Sequence, residues 1–203
     1  MTSRGSWLIV VGASLGGLEA LRRLLEPLPA RLPAAILVVQ HRRADVPPGL
    51  TKMLGRSVAL PVSEAEDRQP ILSGQVIVAP SDYHLLVDGA RVGLSLEEPV
   101  HHSRPSIDVL FRSAAARGPS VLGILLTAAS ADGAEGLEII RRAGGRTMVQ
   151  DPDEAESSVG PRAALALDPE HEVLPVSRMP ARILRLLAAD RERSAPPRRA
   201  GRS

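Results

Sequence analysis

Short runs of aliphatic residues alternate along the chain with segments in which apolar residues recur every three to four positions. The runs predict buried strands, and the segments predict amphipathic helices. The predicted strands are 7–11, 35–40, 60–62, 76–79, 84–88, 92–95, 121–127, 147–150 and 172–175. The predicted helices are 18–28, 47–55, 107–116, 133–142, 161–167 and 178–189.

This alternation of strands and helices predicts the fold class. It is typical of an α/β, doubly wound domain with a mostly parallel sheet and helices on both faces. The two apolar runs on either side of Gly89 predict a small antiparallel hairpin inside that domain. No internal repeat or interior linker interrupts the pattern, so we expect one domain at residues 5–190 and a tail at 191–203.

The tail changes how the charge of the chain is interpreted. The formal net charge is +2, but residues 191–203 hold five arginines and one glutamate, which leaves −2 for residues 1–190. A segment rich in proline, arginine, serine and glycine is typically disordered. The basic character therefore belongs to the tail. With only three aromatic residues in the chain, recognition of nucleic acid by base stacking is not expected.

Composition also excludes several classes of site. The chain has no cysteine, which rules out disulfides, thiol catalysis and cysteine-ligated metals. No apolar run approaches the length of a membrane span, and Gly12 cuts the first run short, unlike a signal peptide. We therefore expect a cytoplasmic protein that is not embedded in a membrane.

Polar residues follow three of the predicted strands. Ser14 follows strand 7–11, His41 follows strand 35–40, and Asp132 lies in the turn after strand 121–127. The carboxyl ends of parallel strands meet at one edge of a sheet, so these side chains are expected there together. A hydroxyl, an imidazole and a carboxylate are the parts of a hydrolytic triad. In it, His41 would act as the base, and Asp132 would orient its ring.

Other interpretations of these residues remain open. A serine in a glycine-rich turn is also typical of a helix cap or a phosphate contact, and an aspartate before a glycine is typical of a turn. The turn at 12–17 lacks the spacings of a G-x-S-x-G elbow, a dinucleotide fingerprint and a P-loop. A nucleotide-binding module built on this turn would show a thermal shift with nucleotide.

Six motifs occur in order along residues 7–188. They are Gly-Ala-Ser-Leu-Gly-Gly at 12–17, Val-Gln-His at 39–41, Ala-Pro-Ser-Asp-Tyr-His at 79–84, Arg-Pro-Ser-Ile-Asp-Val-Leu-Phe at 104–111, Ala-Asp-Gly-Ala-Glu-Gly at 131–136 and Gly-Pro-Arg-Ala-Ala at 160–164. In content and order they resemble the catalytic domain of CheB-type chemotaxis receptor methylesterases. That resemblance covers nearly the whole predicted domain.

The resemblance implies a serine hydrolase that removes methyl groups from glutamate esters of chemoreceptors and releases methanol. Some members of the family also deamidate receptor glutamines. It implies Ser14, His41 and Asp132 as the triad, the N–H groups of Leu15 and Ala129 as oxyanion donors, and no cofactor or metal. The expected partner is a methyl-accepting receptor, the protein substrate.

A receiver domain precedes the catalytic domain in the full-length chemotaxis enzyme of this family. Only six residues precede the first predicted strand here, so we expect a stand-alone catalytic domain. A separate response regulator is then a candidate partner.

Three positions depart from the family pattern. Residues 128–131 are Ala-Ala-Ser-Ala where the family usually has Gly-Met-Gly-x, Leu15 replaces a small residue, and Gly160 replaces a methionine. If the loop needs left-handed backbone, Ala128 and Ser130 would each cost about 1 kcal/mol or shift it. An alternative function is therefore a catalytically weak or inactive interaction module in a signalling pathway.

Three further histidines need an interpretation. His84 is expected to support a loop. His101 and His102 have no carboxylate at metal-ligand spacing in the sequence, so we expect no zinc site there.

Overall fold

A parallel sheet of seven strands forms the centre of the protein, which a computed structural model describes for residues 7–41 and 49–194. The strands are β1 Trp7–Ala13, β2 Ala34–Gln40, β3 Val62–Glu64, β4 Val76–Val78, β5 His84–Asp88, β6 Arg91–Ser95, β7 Val121–Leu125, β8 Arg146–Gln150 and β9 Glu172–Leu174. The α-helices are α1 Gly17–Leu25, α2 Leu50–Gly55, α3 Ile107–Ala115, α4 Ala134–Arg142, α5 Val159–Leu167 and α6 Met179–Ser194.

The strand order places the loops that follow β1 and β7 side by side. The sheet runs β3-β4-β2-β1-β7-β8-β9, and every described pair in it is parallel. The chain first adds strands on one side of β1 and then crosses to β7 on the other. This reversal is where doubly wound folds bind ligands, at the carboxyl ends of the strands. The strands β5 and β6 form a separate antiparallel hairpin. The predicted fold class is confirmed.

Alternate side chains of β1 pack into two different apolar layers, because successive residues of a strand point to opposite faces of the sheet. Ile9 and Val11 belong to the layer that also contains apolar residues of α1 and α6. Leu8 and Val10 belong to the layer formed with α3 and α4. All seven residues of β1 are buried, which is why its sequence is a continuous apolar run instead of an alternating one.

Several element boundaries differ from the predictions. The third strand is Val62–Glu64 and not 60–62, because Pro61 has no N–H to donate. Instead, its carbonyl accepts a hydrogen bond from Val76 N–H at 2.9 Å. Residues 47–48 of the predicted helix 47–55 lie outside the described residues.

The last helix continues beyond the predicted end of the domain. α6 runs to Ser194, so the first four residues of the predicted tail are helical, and the boundary at 190 is corrected accordingly. Strong helix formers dominate this stretch. Residues 195–203 lie outside the described range. Within the part of the chain that the structure describes, no helix is long and apolar enough to cross a membrane.

Candidate active site

Ser14 lies in a tight turn between β1 and α1. Its N–H donates to Thr127 O at 2.9 Å, and its carbonyl accepts from Gly17 N–H at 2.9 Å. Gly16, with φ 74° and ψ −2°, occupies the left-handed third position of this turn. A Cβ at Gly16 would also lie 2.4 Å from Glu156 Oε2. Glycine is therefore required at position 16, because a larger residue would strain the backbone of the turn that holds Ser14 and would clash with Glu156.

His41 directly follows β2, the strand beside β1. Its N–H donates to Ala13 O at 2.9 Å, which extends the pairing of the two strands by one residue. The His41 side chain is 13% exposed, and it lines a cleft of about 540 Å³ together with Ser14 and Glu156. Among the described hydrogen bonds, none joins Ser14 Oγ to the His41 ring. Such bonds are often long in free enzymes and tighten when substrate binds.

Asp132 is fully buried and receives hydrogen bonds from two directions. His41 Nε2 lies 2.8 Å from its Oδ2. At the start of α3, Ile107 N–H donates to Oδ2 at 2.8 Å, Asp108 N–H donates to Oδ1 at 2.9 Å, and Ser106 Oγ donates to Oδ1 at 2.8 Å. The carboxylate thus caps the amino end of α3, where an anion is favoured.

These contacts fix the charge of Asp132. Burial alone would raise the pKa of Asp132, but the hydrogen bonds from His41 and from the N–H groups of Asp108 and Ile107 outweigh it and lower the pKa. An ionised carboxylate only accepts hydrogen bonds, so His41 Nε2 carries the hydrogen that points to it. The Nδ1 atom of His41 is then the ring nitrogen left for the Ser14 hydroxyl.

Two backbone N–H groups named as oxyanion donors above have no hydrogen-bond acceptor among the described residues. Within residues 7–41 and 49–194, the N–H groups of Leu15 and Ala129 donate to no other group of the protein. Leu15 and Ala129 are both exposed. These are the two oxyanion donors that the family resemblance implies.

Residues 9–183 match the family model for the CheB methylesterase domain. The chain belongs to the CheB methylesterase family.

Relatives from several bacteria agree with this assignment. The chain is 44% identical over 183 residues to a Bordetella parapertussis protein named protein-glutamate methylesterase/protein-glutamine glutaminase, covering 87% of this chain and 52% of the relative. A Symbiobacterium thermophilum protein of the same name is 41% identical over 175 residues, covering 83% of this chain and 47% of the relative. The chain spans about half the length of these curated relatives.

A solved structure supports the same conclusion. The crystal structure of the Thermotoga maritima CheB methylesterase catalytic domain superposes with a TM-score of 0.85 at 27% sequence identity. The match covers 90% of this chain and 99% of that one. The resemblance drawn from the six motifs is thereby confirmed.

The altered CheB loop at 128–131 carries no backbone strain. Neither Ala128 nor Ser130 is among the described non-glycine residues with positive φ, so the cost considered for these substitutions does not arise. Instead, the loop is hydrogen-bonded to the start of α5 and to the residues just before it. Ala128 N–H donates to Ser157 O at 3.1 Å, and Ala128 O accepts from Gly160 N–H at 2.9 Å.

Two departures from the CheB pattern face each other. A Cβ at Gly160 would lie 2.7 Å from Ala128 Cβ, closer than two such atoms can approach. The methyl group at 128, where the family usually has glycine, occupies space next to a residue that here has no side chain. The two substitutions therefore fit as a pair.

Further residues that support the predicted triad could not be identified from the sequence. Ser106 Oγ bonds to Asp132, and Ser106 N–H donates to His84 Nδ1 at 3.1 Å. His84 Nε2 lies 3.1 Å from Glu98 O, so it carries the hydrogen. His84 thus supports the loop before α3, as expected, and it also positions the cap of Asp132. The spacing of these residues carries no periodic signal that would have identified them.

Asp108 and Asp132 accept hydrogen bonds from each other's helices. Asp108 Oδ1 accepts from Gly136 N–H at 2.6 Å in the first turn of α4, while Asp132, which precedes α4, caps α3. Asp108 Oδ2 is buried without a hydrogen bond, 3.3 Å from His101 Nε2. Burial raises the pKa of Asp108, the Gly136 bond opposes this, and the charge of Asp132 raises it further.

These groups also form a candidate metal cluster. Ligand atoms of His101, Asp108 and Asp132 lie within 4.8 Å of one another, a proximity that sequence spacing did not predict. However, each carboxylate oxygen of Asp132 already accepts two hydrogen bonds. A metal ion would have to displace hydrogen-bond donors of Asp132, so the donor set does not fit a resident cation.

Proposed function

We propose that this chain is a protein-glutamate methylesterase that hydrolyses glutamate methyl esters on chemoreceptor-type signalling proteins. The observation that carries the proposal is the 2.8 Å contact between His41 Nε2 and Asp132, beside a cleft that Ser14 and His41 share. The names of the relatives support the substrate class. Together they favour Ser14 as nucleophile, His41 as base and Asp132 as the orienting carboxylate.

The proposed first step transfers the glutamyl group to Ser14. The Ser14 hydroxyl gives its proton to His41 as Oγ forms a bond to the ester carbonyl carbon. The carbonyl oxygen becomes an oxyanion, to which the N–H groups of Leu15 and Ala129 donate. His41 then protonates the departing methoxide as the carbon–oxygen bond breaks, and methanol leaves.

The second step releases the product. Water gives a proton to His41 and attacks the acyl-enzyme carbonyl, and the bond to Ser14 Oγ breaks as the proton returns to it. The products are a glutamate side chain and the free enzyme. The anionic Asp132 stabilises the imidazolium in both steps, because its hydrogen-bond donors hold it ionised. No cofactor enters this scheme.

Deamidation of receptor glutamines is a second candidate activity. The names of the relatives include protein-glutamine glutaminase. The same acyl-enzyme would form, with His41 protonating the amide nitrogen as ammonia leaves. We place both reactions in the cytoplasm, on a methyl-accepting receptor, with a separate response regulator as a candidate partner.

Methanol release from a methylated receptor tests the proposal. The chain is incubated with a chemoreceptor cytoplasmic fragment that carries labelled glutamate methyl esters, and volatile label is counted. The wild type and Ser63→Ala, which alters an exposed serine of β3, should release methanol, and Ser14→Ala should not. A well-folded wild-type chain that releases no methanol would instead support the inactive interaction module.

A further inference from the structure

One buried amide joins the segments that carry Ser14 and His41. Gln40 is the last residue of β2, and only 8% of it is exposed. Its Nε2 donates to Ser14 O at 2.7 Å and to His41 O at 3.0 Å. Both N–H groups of the amide are therefore used on backbone carbonyls of two proposed triad residues.

The orientation of the Gln40 amide follows from its surroundings. Exchanging its oxygen and nitrogen would place Oε1 against two carbonyl oxygens, which only accept hydrogen bonds. Oε1 has no hydrogen-bond partner in the described structure and lies against Gly17, where a Cβ would be 2.1 Å away. In the orientation that allows both donations, Gln40 Oε1 is therefore left without a hydrogen bond. Gly17 provides the space.

The donation to Ser14 O also sets the direction of the next N–H group. In a trans peptide the C=O and the following N–H point in opposite directions. Because Ser14 O points to Gln40 and to Gly17 N–H, the N–H of Leu15 points away from them. The N–H of Ser14 itself is engaged by Thr127 O and is not free for substrate.

The following peptide is held in the same way. Thr127 Oγ1 donates to Leu15 O at 2.8 Å. Leu15 is therefore fixed by side-chain donors on both of its peptide planes, from β2 on one side and from the end of β7 on the other. Its N–H has little freedom to turn away from the cleft.

We propose that Gln40 is a positioning residue for the hydrolase reaction. Through Ser14 O it aims the Leu15 N–H at the developing oxyanion, and through His41 O it fixes the backbone from which the base projects. This inference rests on the proposed function. In this role Gln40 stabilises the transition state indirectly, through the backbone, and does not touch the substrate.

The test uses a fluorophosphonate probe, which forms a bond from phosphorus to Ser14 Oγ as fluoride leaves and the hydroxyl proton passes to His41. Gln40→Met keeps the size of the side chain and removes both donors. We expect the maximal labelling rate constant to fall about 10-fold or more, because the oxyanion donor is no longer aimed. The half-saturating probe concentration should stay within about twofold, because the change acts on the transition state.

A matched control separates positioning from stability. Thr147 is buried near the amino end of β8, where its Oγ1 lies 2.8 Å from His171 Nδ1. Thr147→Val removes one buried hydrogen bond and should label at the wild-type rate. If it slows labelling as much as Gln40→Met does, the effect is general destabilisation and the inference is overturned.

The remaining outcomes also decide the question. Gln40→Glu is nearly isosteric and loses at least one of the two donations, because an ionised carboxyl donates none and a protonated one donates a single hydrogen bond. It should therefore also label more slowly than the wild type, even if Gln40→Met fails to fold. Wild-type rates in folded Gln40→Glu would overturn the positioning role alone. A wild-type chain that is never labelled at Ser14 would overturn the proposed function instead.

Discussion

His41 donates its Nε2–H to Asp132 Oδ2 at 2.8 Å, and this contact determines which ring nitrogen serves the serine. Asp132 is held ionised by the amino end of α3, so it cannot give a proton to the ring. In the proposed mechanism, His41 therefore acts as a base through Nδ1. In the proposed mechanism, helix capping and catalysis depend on the same carboxylate, so the activity of the site is coupled to the packing of α3 against α4.

Asp132→Asn should impair both functions of this carboxylate. An amide at this position turns one acceptor oxygen into a donor, which then faces N–H groups of α3 or the His41 ring. We expect Ser14 labelling by a fluorophosphonate to fall about 10³–10⁴-fold. We expect the free energy of unfolding to fall by about 1–3 kcal/mol in chemical denaturation. Wild-type labelling in a folded variant would exclude Asp132 from the mechanism.

The pH dependence of stability should distinguish Asp132 from Asp108. The pKa of Asp132 is lowered from 3.8 by folding, so its contribution to stability is present above about pH 4 and is lost as the pH falls through the folded pKa. The pKa of Asp108 is raised from 3.8, so the wild type loses stability as the pH rises from 3.8 through that raised pKa.

Asp108→Asn should therefore gain stability relative to the wild type as the pH rises from about 4 to 7. The amide oxygen can still accept from Gly136 N–H, and the negative charge that burial and Asp132 disfavour is removed. Unfolding curves at several pH values measure the difference between the two proteins. A difference that stays constant with pH, or that favours the wild type at neutral pH, contradicts the assignment of the buried charge.

The fold and the three chemical groups could be predicted because they follow local rules. Strands buried on both faces are continuous apolar runs, and their ends share one edge of the sheet. The residues that orient the groups could not be predicted in this way. Gln40 reaches a carbonyl 26 residues away, and Thr127 Oγ1 reaches one 112 residues away. Such contacts depend on the packing of distant segments and leave no periodic pattern in the sequence.

Gly12→Ala tests the packing that holds the cap of Asp132. A Cβ at Gly12 would lie 2.2 Å from Ile107 Cγ2, and Ile107 N–H donates to Asp132. Overpacking of this kind costs about 1–3 kcal/mol, and the shift of Ile107 should also slow labelling of Ser14. The matched control is Gly55→Ala in α2, where a Cβ meets nothing within 4 Å.

Gly55→Ala should be neutral or stabilise the protein by about 0.5–1 kcal/mol, because it restricts the unfolded chain. Thermal unfolding of both variants gives the comparison. Equal effects at the two glycines would show that the contact between Gly12 and Ile107 does not constrain the site.

The effects of substitutions at Ala128 and Gly160 on stability should depend on each other. Gly160→Ala alone forces a Cβ to 2.7 Å from Ala128 Cβ and should destabilise the chain by about 1–3 kcal/mol. Adding Ala128→Gly removes the methyl group that it meets and should recover part of that loss. A double-mutant cycle in chemical denaturation measures the coupling energy. Strict additivity would contradict the complementary fit.

The most direct test of the central claim is to locate the fluorophosphonate adduct by peptide mass spectrometry. We predict one adduct, on Ser14, in the wild-type chain, strongly reduced labelling in His41→Ala, and none in Ser14→Ala. An adduct on another residue, or equal labelling of the wild type and His41→Ala, would contradict a triad in which His41 activates Ser14.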